Sequence, residues 1–429
     1  MSETSNRSRR RFLKATAAGA LAAGLPLVRS VHAAGSDVLR VGLVGCGGRG
    51  TGAAVNAMNA DRNARLVALA DVFPERMEGT RARLQRSKGA QVAVDDDHLF
   101  AGFDGYRHVI DCADVVLLAL PTFFHPHYLK ACVDAGKHVF CEKIHAVDAP
   151  GVRMVLEAGE TARRKGLSVV SGLAWRYDTG ARETIERVHD GAIGEIVSIE
   201  QTCNTGFLRS VPRQPGWTEM EYQLRDWFDF FWLACDLPGL NAVHNLDKAA
   251  WAMHDEPPLR CWGMGGRQTR VGPQHGDAWD HHATVFEYAG GARLHSYCRQ
   301  QDGCFTDISS RYYGTKGWCD LLGYRIDGEN PWRYSGGRSN RFDLEHVALF
   351  SAIRNGTPVN NTLYMARSSL MAVMSTWASY TGQVLTWEAA MQSDHVVAPE
   401  RLALDAEPPT HPDGDGNYPM PVPGVTRFV

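Results

Sequence analysis

The 429-residue sequence lacks a strong charge bias, a long internal apolar run and any C-x-x-C pair. It has 45 Lys and Arg against 48 Asp and Glu, a formal net charge of -3, which gives no basic surface for nucleic acid or an anionic membrane. Beyond the amino terminus no uncharged apolar stretch approaches the ~20 residues of a membrane-spanning helix. The ten cysteines form no C-x-x-C pair, which argues against a zinc knuckle. With 44% apolar and 22% charged residues, the composition is that of an ordinary globular protein.

The cysteines occur mostly within apparent strands or a glycine-rich turn. We therefore expect mainly buried free thiols rather than a disulfide framework. The alternative is a bond between Cys298 and Cys304, which lie close together in the sequence.

The amino terminus carries an export signal in residues 1–34. Paired arginines stand before Phe12-Leu13-Lys14, a weakly apolar stretch covers residues 15–28, and small residues follow at 31–34. This combination resembles a twin-arginine signal, which predicts a periplasmic protein exported already folded. The alternatives are an ordinary secretory signal or a basic amphipathic segment.

Apolar strands alternate with helical segments in residues 37–150. The strand at 38–44 precedes a glycine-rich turn, and further apolar strands are predicted at 66–71, 115–120 and 138–141. Buried apolar strands that alternate with helices indicate a doubly wound parallel sheet of the Rossmann type.

Residues 151–395 predict a second, α+β domain with a large open and mostly antiparallel sheet. Strands with alternating apolar residues are predicted at 284–288 and 293–299, with Gly290-Gly291 as the turn between them. The tail, residues 396–429, is rich in Pro, Gly and Asp and is interpreted as an ordered arm or a loose end.

The turn after the first strand has the spacing G-x-G-x-x-G. Gly45 permits the tight turn, Gly47 lets the backbone approach a pyrophosphate, and Gly50 lets the helix pack on the strand. Asp71 ends the second strand, where a carboxylate accepts ribose hydroxyls and repels a 2′-phosphate. The pattern predicts a dinucleotide site that favours NAD over NADP, with Arg76 nearby as the feature that keeps NADP open.

Two further strings identify a family. Thr122-x-x-His125 follows an apolar strand and Pro121, and residues 135–143 read AGKHVFCEK. These motifs resemble the glucose–fructose oxidoreductase/inositol dehydrogenase/MocA (Gfo/Idh/MocA) family, whose members join a Rossmann domain to an open-sheet domain and act on sugars, cyclitols or glycosides with NAD(P). Strings such as PRQPGW at 212–217 and HNLD at 244–247 resemble an exported subgroup of that family.

The resemblance implies the catalytic residues. The lysine of the family's Glu-Lys-Pro motif matches Lys143, which would relay the proton of the substrate hydroxyl, although Ile144 replaces a proline that is often preceded by a cis bond. The family's substrate histidine matches His244, but the acid that usually stands four residues earlier is Leu240. For Asp247, three residues after the histidine, a structural role is the favoured interpretation.

The remaining predicted site residues fall into two groups. Those predicted to contact the cofactor are Gly45, Cys46, Gly47, Gly48, Arg49, Gly50, Asp71, Arg76, Pro121, Thr122, His125, Glu142 and Lys143. Those predicted to contact the substrate are Arg176, Tyr177, Arg213, Trp217, Asp226, Asn241, His244 and Arg299. No metal site is expected, since His281 and His282, being adjacent on a strand, point to opposite faces.

The function that the resemblance implies is oxidation of a hydroxyl on a sugar, glycoside or cyclitol by hydride transfer to tightly bound NAD. An exported protein has no free cofactor pool, so the cofactor should be recycled in place. One alternative is a redox-neutral glycoside hydrolase, disfavoured because Asn241 stands where some such enzymes carry tyrosine. Another is a family member that has lost its chemistry. We expect a carbohydrate as the small-molecule partner, no nucleic acid, no membrane insertion once the signal is removed, and a homodimer or homotetramer.

Overall fold

The computed structural model describes residues 37–208 and 210–428, so the predicted export signal lies outside the described residues. The first sheet has six strands in the order β3-β2-β1-β4-β5-β6, and every pair in it is parallel. Its strands are β1 (Leu39–Val44), β2 (Ala64–Asp71), β3 (Leu99–Ala101), β4 (Val115–Leu118), β5 (His138–Cys141) and β6 (Val169–Ser171). This confirms the doubly wound parallel sheet, whose near-continuous apolar strands are buried on both faces.

Five helices connect these strands. They are α1 (Gly48–Ala60), α2 (Pro74–Lys88), α3 (Gly105–Cys112), α4 (His125–Asp134) and α5 (Ala149–Lys165). The last of them, α5, is the crossover that leads to β6, and Val139 of β5 pairs with Val169 of β6. The first sheet therefore continues to residue 171, and the predicted boundary at residue 150 falls in the first turn of α5, before the final strand.

The second sheet has nine strands in the order β14-β13-β12-β11-β7-β10-β9-β8-β15. They are β7 (Ile196–Thr205), β8 (Arg260–Gly266), β9 (His281–Glu287), β10 (Arg293–Gln300), β11 (Asp307–Gly314), β12 (Gly317–Asp320), β13 (Arg325–Gly328), β14 (Trp332–Arg333) and β15 (Leu385–Thr386). All neighbours are antiparallel except β7 and β10, which are parallel. This confirms the mixed, mostly antiparallel sheet.

Helices cover one face of the second sheet. The helices after β6 are α6 (Thr179–His189), α7 (Glu219–Arg225), α8 (Phe231–Ala234), α9 (Val243–Ala252), α10 (Arg341–Asn355), α11 (Thr362–Thr381) and α12 (Trp387–Gln392). Helix α9 packs on β7 and β10, and α11 packs on β8 and β9. On β10 the residues alternate, with Leu294 and Cys298 buried towards the helices and Tyr297 39% exposed on the open face.

The tail from residue 396 to 428 has neither helix nor strand but is packed at two points. Tyr418 is buried, with its ring centre 5.0 Å from that of Phe230, and Phe428 lies 5.3 Å from Trp377. Of the two interpretations of this segment, the ordered arm is the one the packing supports.

The cysteines agree with the expectation of mainly buried free thiols. Eight of the ten cysteines are buried, Cys112 is partly buried and Cys304 is exposed, and all ten are free thiols in the structure. Among residues 37–208 and 210–428, no helix has the length and apolar character needed to cross a bilayer. The same residues contain no group of three or more His, Cys, Asp or Glu side chains placed to hold a metal ion.

Candidate active site

The glycine loop after β1 forms one wall of a cleft of about 430 Å3. Gly45 has a φ of +95°, and a Cβ atom there would overlap the carbonyl of Ala119; a Cβ at Gly50 would overlap the carbonyl of Gly45. These two glycines allow the turn and the close packing of α1. A Cβ at Gly47 or Gly48 would meet no atom within 4 Å, so the loop presents bare backbone to the cleft. With the start of α1 at Gly48, this cradle suits a pyrophosphate.

Asp71 closes the loop from the end of β2. Its Oδ2 accepts a hydrogen bond from the Cys46 amide at 2.7 Å, and its Oδ1 accepts one from the Phe73 amide at 3.0 Å. Burial raises the pKa of Asp71, while these amides and Arg76 oppose the rise. Each carboxylate oxygen keeps a lone pair for another donor, and Asp71 lines the cleft together with Arg76, as the sequence predicts.

The opposite wall comes from α7 and the turn after it. Arg225, Asp226, Trp227 and Phe228 line the same cleft. The Arg225 guanidinium donates to Glu75 of α2 at 2.8 Å and lies 3.7 Å from the centre of the Phe73 ring; we call this pair of contacts the cleft clasp. Asp226 was expected to contact substrate, but it lies at the glycine-loop cleft and accepts a hydrogen bond from the Val211 amide. Sequence reasoning missed the clasp, whose partners are 150 residues apart.

The loop after β5 carries Glu142 and Lys143. Glu142 is buried and pairs with Arg49 of the glycine loop, which ties the two loops together at the carboxyl edge of the sheet. The peptide bond between Lys143 and Ile144 is cis, although no proline is present. Lys143 Nζ donates to the carbonyl oxygen of Leu240. That residue stands where the family has an acid, so a backbone oxygen takes the place of the missing carboxylate.

His244 lies in the first turn of α9, directly after a π-helical turn over Pro238–Ala242. Its ring is partly exposed, whereas its Nδ1 atom is buried and has no hydrogen-bond partner among the described residues. Burial lowers the pKa of His244 well below its usual value, and the charges of Lys143, Lys248 and Arg341 lower it further. Burial also lowers the pKa of Lys143. The two predicted catalytic residues therefore share one partly desolvated, electropositive site, and Asn241 lies half-buried one turn before His244.

The Thr122-x-x-His125 motif proves to support the loops rather than line the cleft. Pro121 lines it, but Thr122 and His125 are buried behind it. His125 accepts the Leu120 amide at Nε2 and donates from Nδ1 to the Ile144 carbonyl at 2.6 Å. Burial lowers the pKa of His125 to about 4, so the ring is neutral. The expectation of cofactor contact by Thr122 and His125 is corrected to a positioning role.

Arg176 and Tyr177 are engaged inside the protein. Arg176 donates to Asp247 at 2.9 Å and to Asp255 at 2.5 Å, and Tyr177 donates to Asn361 at 2.7 Å. A guanidinium with two carboxylate partners has no free edge for a substrate. The prediction that these residues bind substrate is wrong in this structure, whereas the structural role favoured for Asp247 agrees with its contacts.

Three other predicted substrate residues also lie elsewhere. Arg213 donates to Glu219 at 2.5 Å and to the Tyr418 hydroxyl at 3.1 Å, so it anchors the carboxyl-terminal arm. The Trp217 ring centre lies 4.8 Å from the Arg225 guanidinium and supports the cleft wall from behind. Arg299 points to the open face of the second sheet, opposite Cys298 and α9, and donates to the Phe305 carbonyl; the period-two alternation of a strand excludes it from the site.

Two cations near His244 were missed. Lys248 follows one turn after His244 on α9, is completely buried, and lies 4.8 Å from the centre of the Trp175 ring. Arg341, at the start of α10, lies 4.1 Å from the same ring centre. The i, i+4 spacing of His244 and Lys248 was a signal available in the sequence. No local pattern connects Arg341 with the site.

A sequence comparison identifies the first domain. Residues 39–172 match the model of the GFO_IDH_MocA family, described as "Oxidoreductase family, NAD-binding Rossmann fold". The first domain belongs to the Gfo/Idh/MocA family. The match includes the glycine loop, Asp71 and Lys143, so the cofactor cleft described above is that of an NAD-binding Rossmann fold.

Curated proteins similar to this chain are sugar and cyclitol enzymes. An inositol 2-dehydrogenase from Rubrobacter xylanophilus is 31% identical over 259 residues, 60% of this chain and 63% of that protein. A glycosyl hydrolase family 109 protein 4 from Phocaeicola vulgatus is 28% identical over 177 residues, 41% of this chain and 33% of that protein. The chain thus spans less than two thirds of these relatives.

The fold extends the similarity across the second sheet. The crystal structure of a levoglucosan dehydrogenase in complex with NADH aligns with a TM-score of 0.63, covering 81% of this chain and 98% of that one at 18% identity. At this identity the likeness concerns the fold alone, and it includes both the parallel and the mixed sheet.

Proposed function

We propose that this protein is an NAD-dependent oxidoreductase that oxidises a hydroxyl group of a sugar, glycoside or cyclitol, with Lys143 and His244 as the proton relay. The observation that carries the proposal is the juxtaposition of the two catalytic loops. Glu142, adjacent to Lys143, pairs with Arg49 of the glycine loop, and Lys143 reaches the carbonyl of Leu240 just before His244. The dinucleotide cradle, the lysine and the histidine are thereby joined in one site.

The cleft fits a dinucleotide. Gly47 and Gly48 leave open space where a pyrophosphate would approach, Asp71 offers carboxylate oxygens for ribose hydroxyls, and Arg76 flanks the same end. A carboxylate at this position repels a 2′-phosphate, which favours NAD over NADP. NAD held by these residues would supply the hydride acceptor for the carbon that carries the reacting hydroxyl.

Lys143 is the residue suited to take the hydroxyl proton. Burial lowers its pKa, which favours the neutral amine, and its bond to the Leu240 carbonyl fixes one hydrogen so that the lone pair is available to a substrate. His244, kept neutral by burial and neighbouring cations, hydrogen-bonds the same hydroxyl through the partly exposed side of its ring or passes the proton onward. A general base acts efficiently when its pKa lies near the working pH.

The second candidate function is a redox-neutral glycoside hydrolase. It is supported by the similarity to the glycosyl hydrolase family 109 protein. In that reaction, oxidation at one carbon acidifies the neighbouring C–H, the leaving group departs, and water adds back before the hydride returns. The additional base that it needs is absent from position 241, where Asn241 cannot accept a proton.

Two further proposals concern the setting of the enzyme. Residues 1–34 would direct the folded, cofactor-loaded protein to the periplasm through the twin-arginine route. The open face of the second sheet exposes Met264 (73%) and Tyr297 (39%), and an uncovered apolar face favours a homodimer or homotetramer.

The test combines cofactor identification with substrate screening. Mass spectrometry of the small molecules released on denaturation should find NAD, and addition of the true sugar should produce the absorbance of reduced nicotinamide in the bound state. Product analysis in heavy water separates the two functions, because the hydrolase would release an aglycone and exchange a carbon-bound hydrogen without net reduction. A protein that releases no dinucleotide and binds none when supplied would contradict the proposal.

A further inference from the structure

Three cationic side chains surround His244. Lys143, Lys248 and Arg341 are the leading charges that depress the pKa of His244. Two of them share one aromatic ring: the Arg341 guanidinium carbon lies 4.1 Å, and the Lys248 Nζ atom 4.8 Å, from the centre of the Trp175 ring. This side of the site therefore combines an aromatic ring with three basic groups, of which the Arg341 guanidinium stays charged at any working pH.

Nothing in the described part of the chain neutralises Lys248 and Arg341 by direct contact. Lys248 is completely buried and donates to the neutral amide oxygen of Asn245 at 2.9 Å. Arg341 makes no hydrogen bond and no ion pair with residues 37–208 or 210–428; it only packs on Trp175 and on Phe342, 4.9 Å away. Burying a cation without an anionic partner is costly, which applies to Lys248, and the partly exposed guanidinium of Arg341 stands beside it with its donors free of partners among the described residues.

Neither of the two nearby carboxyl groups, those of Asp247 and Glu345, forms a hydrogen bond with Lys248 or Arg341. Asp247 accepts hydrogen bonds from Arg176 and from Ser368. Glu345 lies one turn after Arg341, but burial and the charge of Glu142 raise the pKa of Glu345 well above its usual value, which favours the neutral acid. Helix stability does not explain Arg341 either, because a cation in the first turn opposes the helix dipole.

We propose that the sugar substrate carries a carboxylate, as uronic and aldonic acids do, and that Arg341 binds this carboxylate beside His244. Arg341 is partly exposed and presents a planar guanidinium, which matches a carboxylate through two parallel hydrogen bonds. Lys248 is too deeply buried to touch the substrate and acts as a positioning residue that supplies positive charge behind Trp175. This inference rests on the proposed function in one respect: both assign the sugar to the site around His244.

A carboxylate fits this set better than a phosphate. Phosphate sites in proteins combine several backbone amides with charged side chains, whereas here one accessible guanidinium stands over an aromatic ring. The partly exposed ring of His244 remains for a neighbouring hydroxyl of the same sugar.

The test is calorimetric binding of matched sugars to the NAD-loaded protein. Glucuronate is compared with glucose, and galacturonate with galactose. Glucose 6-phosphate and galactose 6-phosphate are measured as the phosphate counterparts of the two neutral sugars. At least one uronate should bind about 10- to 100-fold more tightly than its neutral counterpart, the range of a charge-assisted hydrogen-bond pair. Arg341→Gln should remove that advantage and leave neutral sugars unaffected. The matched control is Arg338→Gln, since Arg338 is exposed on the preceding loop and should have no effect on either class.

Lys248 provides a second test, the pH dependence of uronate affinity, which a purely structural role of this lysine would not change. Its pKa is lowered to about 7 by burial, with Arg341 acting in the same direction and Cys203 of β7 and Asp247 of α9 opposing it. Uronate affinity should therefore fall as the pH rises through about 7, where Lys248 loses its proton. In Lys248→Met the affinity should be lower throughout and show no such step.

Each outcome decides one of the two proposals. Equal affinity for uronates and neutral sugars, an equal effect of Arg341→Gln on both, or tighter binding of the 6-phosphates would overturn the carboxylate inference. If neutral sugars are nevertheless oxidised, the oxidoreductase proposal stands. If uronates bind in an Arg341-dependent way but no sugar reduces the bound cofactor, the carboxylate inference stands and the oxidoreductase proposal falls.

Discussion

Replacement of Arg225 by methionine should speed the release of NADH from the cleft. Arg225 forms the cleft clasp: it donates to Glu75 at 2.8 Å and lies 3.7 Å from the Phe73 ring centre. Both walls of the dinucleotide cleft are thereby joined, α7 on one side and α2 on the other. Since the cofactor lies between these walls in our account, opening the clasp precedes its departure.

The magnitude follows from the two contacts. Glu75 is 59% exposed, so the ion pair contributes about 0.2–1 kcal/mol. The cation–π contact adds about 0.5–1 kcal/mol at a partly exposed site. Together they predict a rise in the NADH dissociation rate of roughly 3- to 30-fold in Arg225→Met, at about 1.4 kcal/mol per factor of ten. Glu75→Gln removes the ion pair alone and should give a rise of roughly 1.4- to 5-fold.

Stopped-flow fluorescence measures this rate directly, as excess NAD displaces bound NADH. The matched control is Arg86→Met, because Arg86 is exposed near the other end of α2 and touches neither wall. An unchanged dissociation rate in Arg225→Met, with an intact melting temperature, would refute the claim that the cleft clasp slows NADH release. A loss of NADH affinity that came only from a lower association rate would refute it as well.

Three further predictions concern the cofactor, the buried lysine and assembly. Asp71→Ser should lower the ratio of NAD to NADP affinity, as measured by titration, whereas tightly bound NADP in the natural protein would contradict the argument from the acid. Burial lowers the pKa of Lys248 from the ordinary 10.5 to about 7 in the folded protein. Between these two pH values the unfolded chain binds more protons than the folded one. The buried amine therefore destabilises the fold fully below about pH 7, and this destabilisation is lost as the pH rises towards 10.5. Lys248→Met should therefore raise the melting temperature most below about pH 7, and an equal gain at all pH values would show that its amine is not the cause. Light scattering should find a dimer or tetramer at micromolar concentration that Met264→Glu on the open sheet face weakens, and a stable natural monomer would rule out that interface.

The parallel sheet was predictable because its strands are short, largely apolar runs separated by helices. Strand β4 (VVLL) is buried at every position. A short apolar run of this kind between two helical segments is typical of a buried strand. Three of the nine strands of the second sheet were harder to predict. Strand β8 reads RCWGMGG, in which glycines hide the alternation, and β14 and β15 have two residues each, too few for any periodic signal.

The site was predictable where the chemistry is local and unpredictable where it depends on distant pairing. The glycine loop and Lys143 come from contiguous motifs, and the structure brings them together with His244. Arg176 was misassigned because its partners, Asp247 and Asp255, lie 71 and 79 residues away, and sequence does not show that they occupy its guanidinium. Arg299 was misassigned although its neighbour Cys298 is apolar, and alternation along the strand then directs Arg299 to the other face.

The measurement that tests the account most directly is a single turnover of the NAD-loaded protein with its true sugar, natural protein against Lys143→Met. The methionine keeps the length and packing of the side chain but removes the amine. The account predicts that bound NAD is retained while reduction slows by about 100- to 10,000-fold, the range for loss of a general acid–base group. His244→Asn should slow it by a similar or smaller factor, and Lys316→Met, at an exposed turn, should not slow it at all. Reduction at the natural rate in Lys143→Met would contradict the account, because the proton would then leave by a route that does not involve this lysine.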